Sequence, residues 1–215
     1  MAIQKTEAIL LKKKDFRETS LILTFFTKDF GKIDGIIKGA RGARPRGDAN
    51  PIFFSLDQIV FYEKKTRGIS IISQCETQEV FLNILKEWSR ASSAYYILEL
   101  TDVFTEPEGK SEEMFEALLN SFKSLDNGKE SGSITRLFEI KLLMAAGFWP
   151  GAEYFKLTKG AMSSVMHLEK ESWKSASNMK LTKDVNNEIK SITGKIIEEN
   201  LDRPLKTLKM FKNLT

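Results

Sequence analysis

The chain has 215 residues, 41% of them hydrophobic and 29% charged, enough for one large domain or two small ones around a substantial core. Its 33 Lys and Arg against 29 Asp and Glu give a net charge of +4, basic without approaching a histone-like polycation. Cys75 is the one cysteine and His167 the one histidine, which excludes an intramolecular disulfide and a Cys/His zinc site.

In chain order, residues 1–79 carry strand-like runs at 3–13, 19–26, 32–38, 56–62 and 68–75, rich in branched and aromatic residues. Turn chemistry separates them at 29–31, 39–51 and 64–68. Five short strands with no helical period among them predict a small closed barrel. The oligonucleotide-binding (OB) fold is the commonest five-stranded form, and an SH3-like barrel has similar strand statistics. Phe25 and Phe26 are neighbours on one strand and must face opposite ways. One therefore fills the barrel, and the other needs a cover, expected from the helical part.

From residue 80 the period becomes helical. Phe81, Ile84, Leu85, Trp88, Ala91, Tyr95 and Leu98 predict one apolar face. Ser111 before Glu112 and Glu113 predicts the start of a second helix, with Met114, Phe115, Leu118, Leu119, Phe122 and Leu125 as its stripe. A third helix is expected over 134–146, apolar nearly all round and so the centre of this half, stopped by Gly147 and Pro150. Residues 148–181 show no clear period and are expected to be irregular or in short pieces. Thr182 caps a further helix with Val185, Ile189, Ile192 and Ile196 inward, and 205–214 predict a last short one with Leu208 and Phe211 inward. The expected layout is multi-domain α and β: a nucleic-acid-binding barrel over 1–79, then an all-helical domain over 80–215.

Charge is segregated along this layout. Residues 1–79 hold 14 Lys/Arg against 10 Asp/Glu, 80–133 hold 5 against 10, and 134–215 hold 14 against 9. A polyanion is therefore expected at the two ends of the chain and not at its middle. The cation candidates are Lys12, Lys13, Lys14 and Arg17 in a first loop, Lys28 and Lys32 at the second turn, and Lys38, Arg41, Arg44 and Arg46 beyond the third strand. No nucleophilic triad, paired-carboxylate metal cluster or phosphate-cradling glycine loop is visible, so no catalysis, cofactor or metal is expected. Ile9-Leu10-Leu11 runs into Lys12-Lys13-Lys14 rather than into a signal-peptide core, and no run approaches the ~20 apolar residues of a membrane span. The expectation is a cytoplasmic protein without membrane contact. A protein-binding adaptor, or a barrel that binds RNA, would share these features.

RETSLILTFFTKDFGKIDGIIKGAR, residues 17–41, closely resembles the N-terminal signature of the RecO family of bacterial recombination mediators. RLFEIKLLMAAGFWP, residues 136–150, is similar to that family's F-E-x-x-L-L-x-x-x-G-x-x-P segment, and RPLKTLKMFKNL, residues 203–214, to its C-terminal L-K-S helix, with Thr207 in the serine position. The resemblance implies an OB fold joined to a helical domain, and binding of single- and double-stranded DNA. It also implies annealing of complementary strands and partnership with RecR. Contact with the acidic, phenylalanine-ending tail of single-strand-binding protein would let RecA load on coated strands. It further implies a nucleoid-associated bacterial protein that uses no nucleotide. Many members carry four zinc-ligating cysteines after the G-x-x-P segment; none stands at 148–181 here, so an intact zinc finger is not expected. Lys38 and Arg41 of K-G-A-R resemble DNA-facing positions. Arg136 matches the cationic rim of the tail-binding groove, with Lys141 and Tyr95 or Tyr96 as further candidates.

Overall fold

A computed structural model describes residues 2–40, 51–63, 68–107 and 109–208. The chain divides into two compact units, Met1–Phe81 with Thr105–Phe115, and Leu82–Phe104 with Glu116–Thr215. The first unit ends at Phe81 and takes up residues 105–115 again.

The N-terminal unit is built from five strands, β1 (Ile3–Phe16), β2 (Ser20–Thr27), β3 (Gly31–Ile37), β4 (Ser55–Tyr62) and β5 (Ser70–Val80). They hydrogen-bond in the closed order β1-β2-β3-β5-β4, antiparallel except for the short parallel pairing of β3 with β5. Alternation puts Leu10, Leu21, Leu23, Phe25, Ile37, Ile59, Phe61 and Ile72 in the interior. At about 25 cal/mol per Å², each such side chain contributes about 1.5–3 kcal/mol. Phe26 is the one of the pair that faces outward, and its cover is Phe115, with ring centroids 6.3 Å apart.

Gly31 ends the β2–β3 turn at φ 64°, and a Cβ there would lie 2.5 Å from the carbonyl oxygen of Gly109. Only glycine permits both the turn and the close approach of the returning segment. Pro107 of that segment bridges to Lys32. The expected first loop does not exist as such. β1 continues through Lys12, Lys13 and Lys14 to Phe16, because the β1–β2 ladder extends past a bulge at Leu11 to the pair Phe16 and Ser20.

The second unit holds α1 (Trp88–Phe104), most of α2 (Glu112–Asp126), α3 (Ser131–Ala145), α4 (Lys159–Lys170), α5 (Trp173–Ala176) and α6 (Lys183–Glu199). Ser111 caps α2 through its hydroxyl, and Thr182 caps α6. α3 begins three residues earlier than predicted, because Glu130 acts as its cap and accepts from the backbone of Gly132 and Ser133. Leu137 and Ile140 of α3 are central to a core shared with Val165, Leu168 and Ile189.

Two expectations fail in this unit. A 3-10 turn over Leu82–Lys86 shifts the helical phase, so Leu85, Trp88 and Tyr95 are exposed while Ala94, Ile97, Leu98 and Thr101 are buried. The stretch 148–181, expected to be irregular or in short pieces, contains the four-residue α5 but also the twelve-residue α4, which is capped by Thr158 and buries Ala161, Val165 and Leu168 at helical spacing. Its apolar core takes Trp149, Leu157, Met162 and Trp173. Among the described residues no helix is long and apolar enough to cross a membrane.

Candidate nucleic-acid interface

Side chains paired across antiparallel strands share a face. Because Leu23 and Phe25 are interior, Ile22, Thr24 and Phe26 of β2 point outward, and the register extends this face to both neighbours. One row is Lys14, Ile22 and Ile36; the next is Lys12, Thr24 and Asp34; the third is Ile9, Phe26 and Lys32. The third row lies under the returning segment. The first two rows present exposed Lys12 and Lys14 with half-exposed Ile22 and Ile36, and the exposed Lys38 directly follows β3. Asp34 interrupts the positive surface and accepts a 2.6 Å hydrogen bond from the Thr24 hydroxyl.

The seven described cations among the ten predicted from sequence do not form one cluster. Lys28 pairs with Glu7 at 3.3 Å, and Lys32 sits in the covered row, about 13 Å of strand away from the Lys14 row. Lys13, also exposed, pairs with Leu23 rather than with the face of Lys12 and Lys14, and donates to the carbonyl of Pro51. The Arg17 guanidinium lies 5.2 Å from the centre of the Phe16 ring. Arg41, Arg44 and Arg46 lie outside the described residues. Lys12, Lys14 and Lys38 therefore remain as the described cations of one exposed surface.

The helical unit holds a second site. α1, α3 and α6 enclose a cleft of 640 Å³, at whose wall Arg136 is buried. Arg136 Nη1 lies 3.0 Å from Glu139 Oε2. Tyr96 donates to Glu139 Oε1 at 2.9 Å, and Thr193 donates to Oε2 at 2.6 Å. Burial pushes the Glu139 carboxyl above its ordinary range, opposed by Arg136 and the two hydroxyls. Burial, then the Glu139 charge, likewise raises the Tyr96 phenol.

Of the expected companions of Arg136, Tyr96 lines the cleft, and Lys141 and Tyr95 lie elsewhere. Lys141 donates to the carbonyls of Glu169 and Glu171, and Tyr96, not Tyr95, lines the cleft because the 3-10 turn resets the phase of α1. Sequence reasoning overlooked Glu139, although one acid on a helix otherwise apolar all round is a signal for a buried polar network. A separate, apolar groove of 440 Å³ is lined by Leu157, Met162 and Met166 with Lys159 and Ser163. Thr207 donates to Glu99 Oε2, and the N–H groups of Lys206 and Thr207 donate to the same carboxylate, which fixes the start of the last segment.

A closed sheet with a cationic outer face, followed by a helical unit, is the two-part architecture of a recombination protein: residues 1–81 match the family Recombination protein O N terminal and residues 85–154 match Recombination protein O C terminal. The chain is 32% identical to the DNA repair protein RecO of Caldicellulosiruptor saccharolyticus, over 97% of this chain and 91% of the relative. It is 29% identical to the DNA repair protein RecO of Caldicellulosiruptor bescii over 99% of each, and 26% identical to that of Clostridium kluyveri over 100% of this chain and 95% of the relative. The chain belongs to the RecO family, and its role lies in DNA repair and recombination.

Proposed function

We propose that the chain is a DNA-binding recombination mediator that anneals complementary single strands and helps load RecA onto strands coated with single-strand-binding protein, without covalent catalysis. The observation that carries this reading is the outer face of β1, β2 and β3, where Lys12, Lys14 and Lys38 surround half-exposed apolar side chains. Cations neutralise phosphates, and apolar side chains accept the faces of unpaired bases. The closed order β1-β2-β3-β5-β4 supports assigning the sheet to the OB fold. DNA, RecR and single-strand-binding protein are the proposed partners.

The acidic, phenylalanine-ending tail needs an apolar floor and a cationic rim. At Arg136 the cleft sets only Tyr96 and Leu208 among serines, asparagines and lysines. The groove of Leu157, Met162 and Met166 with Lys159 at its edge meets both needs, and we place the tail there.

The test is annealing of complementary strands coated with single-strand-binding protein, with and without its tail. Replacing Lys12, Lys14 and Lys38 by alanine is expected to slow annealing. It should also flatten the salt dependence of single-strand binding by about 0.7 in log–log slope per lost phosphate contact. An unchanged slope refutes this face as the interface.

A further inference from the structure

Among the described residues, three buried side-chain polar atoms have no hydrogen-bond partner: Arg136 Nε, Arg136 Nη1 and Asn186 Oδ1. All three belong to residues that line the one cleft between α1, α3 and α6. Buried polar groups in native proteins are nearly always satisfied, and a charged group left short of partners costs more than a neutral one. Glu139 does not make up the shortfall, because its 3.0 Å approach to Nη1 is an ion pair without hydrogen-bond alignment.

The rest of the wall carries many donors, beside the apolar Leu208 and the Tyr96 ring. Ser92, Ser93, Asn187, Lys190, Ser191 and Lys195 supply hydroxyl, amide and ammonium donors, and Glu198 is the one further carboxylate on the lining. A volume of 640 Å³ falls within the roughly 300–1,000 Å³ of ligand sites. Donors around an under-used guanidinium suit an anion with several oxygens, and the planar fork of arginine matches phosphate. Asn186 Oδ1 asks for the opposite, a donor, of the kind a sugar hydroxyl or a base N–H provides beside a phosphate.

We propose that this cleft binds a phosphate group of a nucleic-acid strand, which gives the helical unit a nucleic-acid contact of its own. The proposal rests on the DNA-binding reading above only for the source of the phosphate. The lysines lie at the exposed rim, and Arg136 is the fixed element of the wall.

The experiment is a titration of the full chain followed by amide and arginine side-chain NMR. The probes are inorganic phosphate, thymidine 5′-monophosphate, an oligothymidylate without terminal phosphate, and an acidic peptide ending in phenylalanine. The three phosphate probes are expected to move the amides of Gly132 and Gly194 and the Nε–H of Arg136. Movement by the monophosphate and not by the oligothymidylate would identify a terminal phosphate as the source, and movement by both an internal one.

Arg136→Gln removes the buried charge and is at risk of misfolding, so the deciding variant is Ser191→Asp. It places a carboxylate at an exposed position of the same wall and is expected to weaken phosphate binding about tenfold. Cleft signals that ignore every phosphate probe, that respond only to the peptide, or that respond equally in Ser191→Asp, each overturn the proposal. Oligothymidylate that moves signals of β1 to β3, with no phosphate probe moving the cleft, would leave the DNA-binding reading standing and remove this one. No movement of either set by any phosphate probe removes both.

Discussion

Replacing Glu139 by alanine tests the energetic account of the helical unit. The side chains of Arg136 and Glu139 are 7% and 1% exposed. Removing one partner of so buried a pair strands the other charge, at about 3–5 kcal/mol. Tyr96 and Thr193 also lose their acceptor, at about 1 kcal/mol each, although these losses overlap and do not simply add. A total of about 4 kcal/mol lowers the melting temperature by roughly 10 °C in a chain of this size. The assay is thermal unfolding by near-ultraviolet circular dichroism, with Trp149 and Trp173 packed on the helical core as reporters. Arg136→Met with Glu139→Leu should recover much of the loss, because an apolar pair leaves no stranded charge. A loss below about 1 kcal/mol in Glu139→Ala, or a double variant no better than the single one, would refute the reasoning.

The pH dependence supplies the remaining predictions of the unit. Burial raises the Glu139 carboxyl from its ordinary 4.5, so the folded chain keeps that proton longer than the unfolded one. The stability it contributes is complete below pH 4.5 and is lost as pH rises through the folded value. Wild type should therefore lose stability relative to Glu139→Gln as pH rises from 4.5, and a constant difference would contradict this. Glu130 runs the other way. Burial pushes its carboxyl up, but hydrogen bonds from Ser133 and Gly132 and the charge of Arg136 bring it below 4.5, so its stabilisation is present above 4.5 and lost on acidification. Glu130→Ala should cost about 1 kcal/mol near neutral pH by chemical denaturation, and less in acid. Cys75 is buried in the sheet interior, and burial, then the Asp57 charge, pushes its thiol up to about 12. An aromatic disulfide reagent at pH 8 is expected to label it only as fast as the sheet opens, and rapid stoichiometric labelling of the folded chain would contradict its burial.

The sheet was legible in the sequence because its residues alternate, and adjacent Phe25 and Phe26 announced an inside and an outside. The extension of β1 was hidden by three consecutive lysines. They look like a loop until β2 is seen to supply partners as far as Ser20. The phase of α1 was misread because a 3-10 turn of five residues precedes it, and a period of 3.6 carried across that turn selects the wrong face. In 148–181, serines and lysines dilute the Ala161, Val165 and Leu168 stripe below recognition. Arg136 was legible as a cation of interest, but its setting was not. That setting depends on Tyr96, Asn186 and Thr193, which are distant in sequence and carry no local pattern.

The contact between Phe26 and Phe115, with Gly31 against Gly109, also bears on how the chain matures on the ribosome. The five strands are complete once residue 80 has emerged, but Phe26 stays uncovered until residue 115 follows, with all of α1 synthesised in between. A nascent chain halted within that interval would carry a formed sheet with an open apolar patch, a natural substrate for chaperones. A fragment cut after residue 81 would inherit that patch permanently, whereas one that keeps residues 105–115 would not.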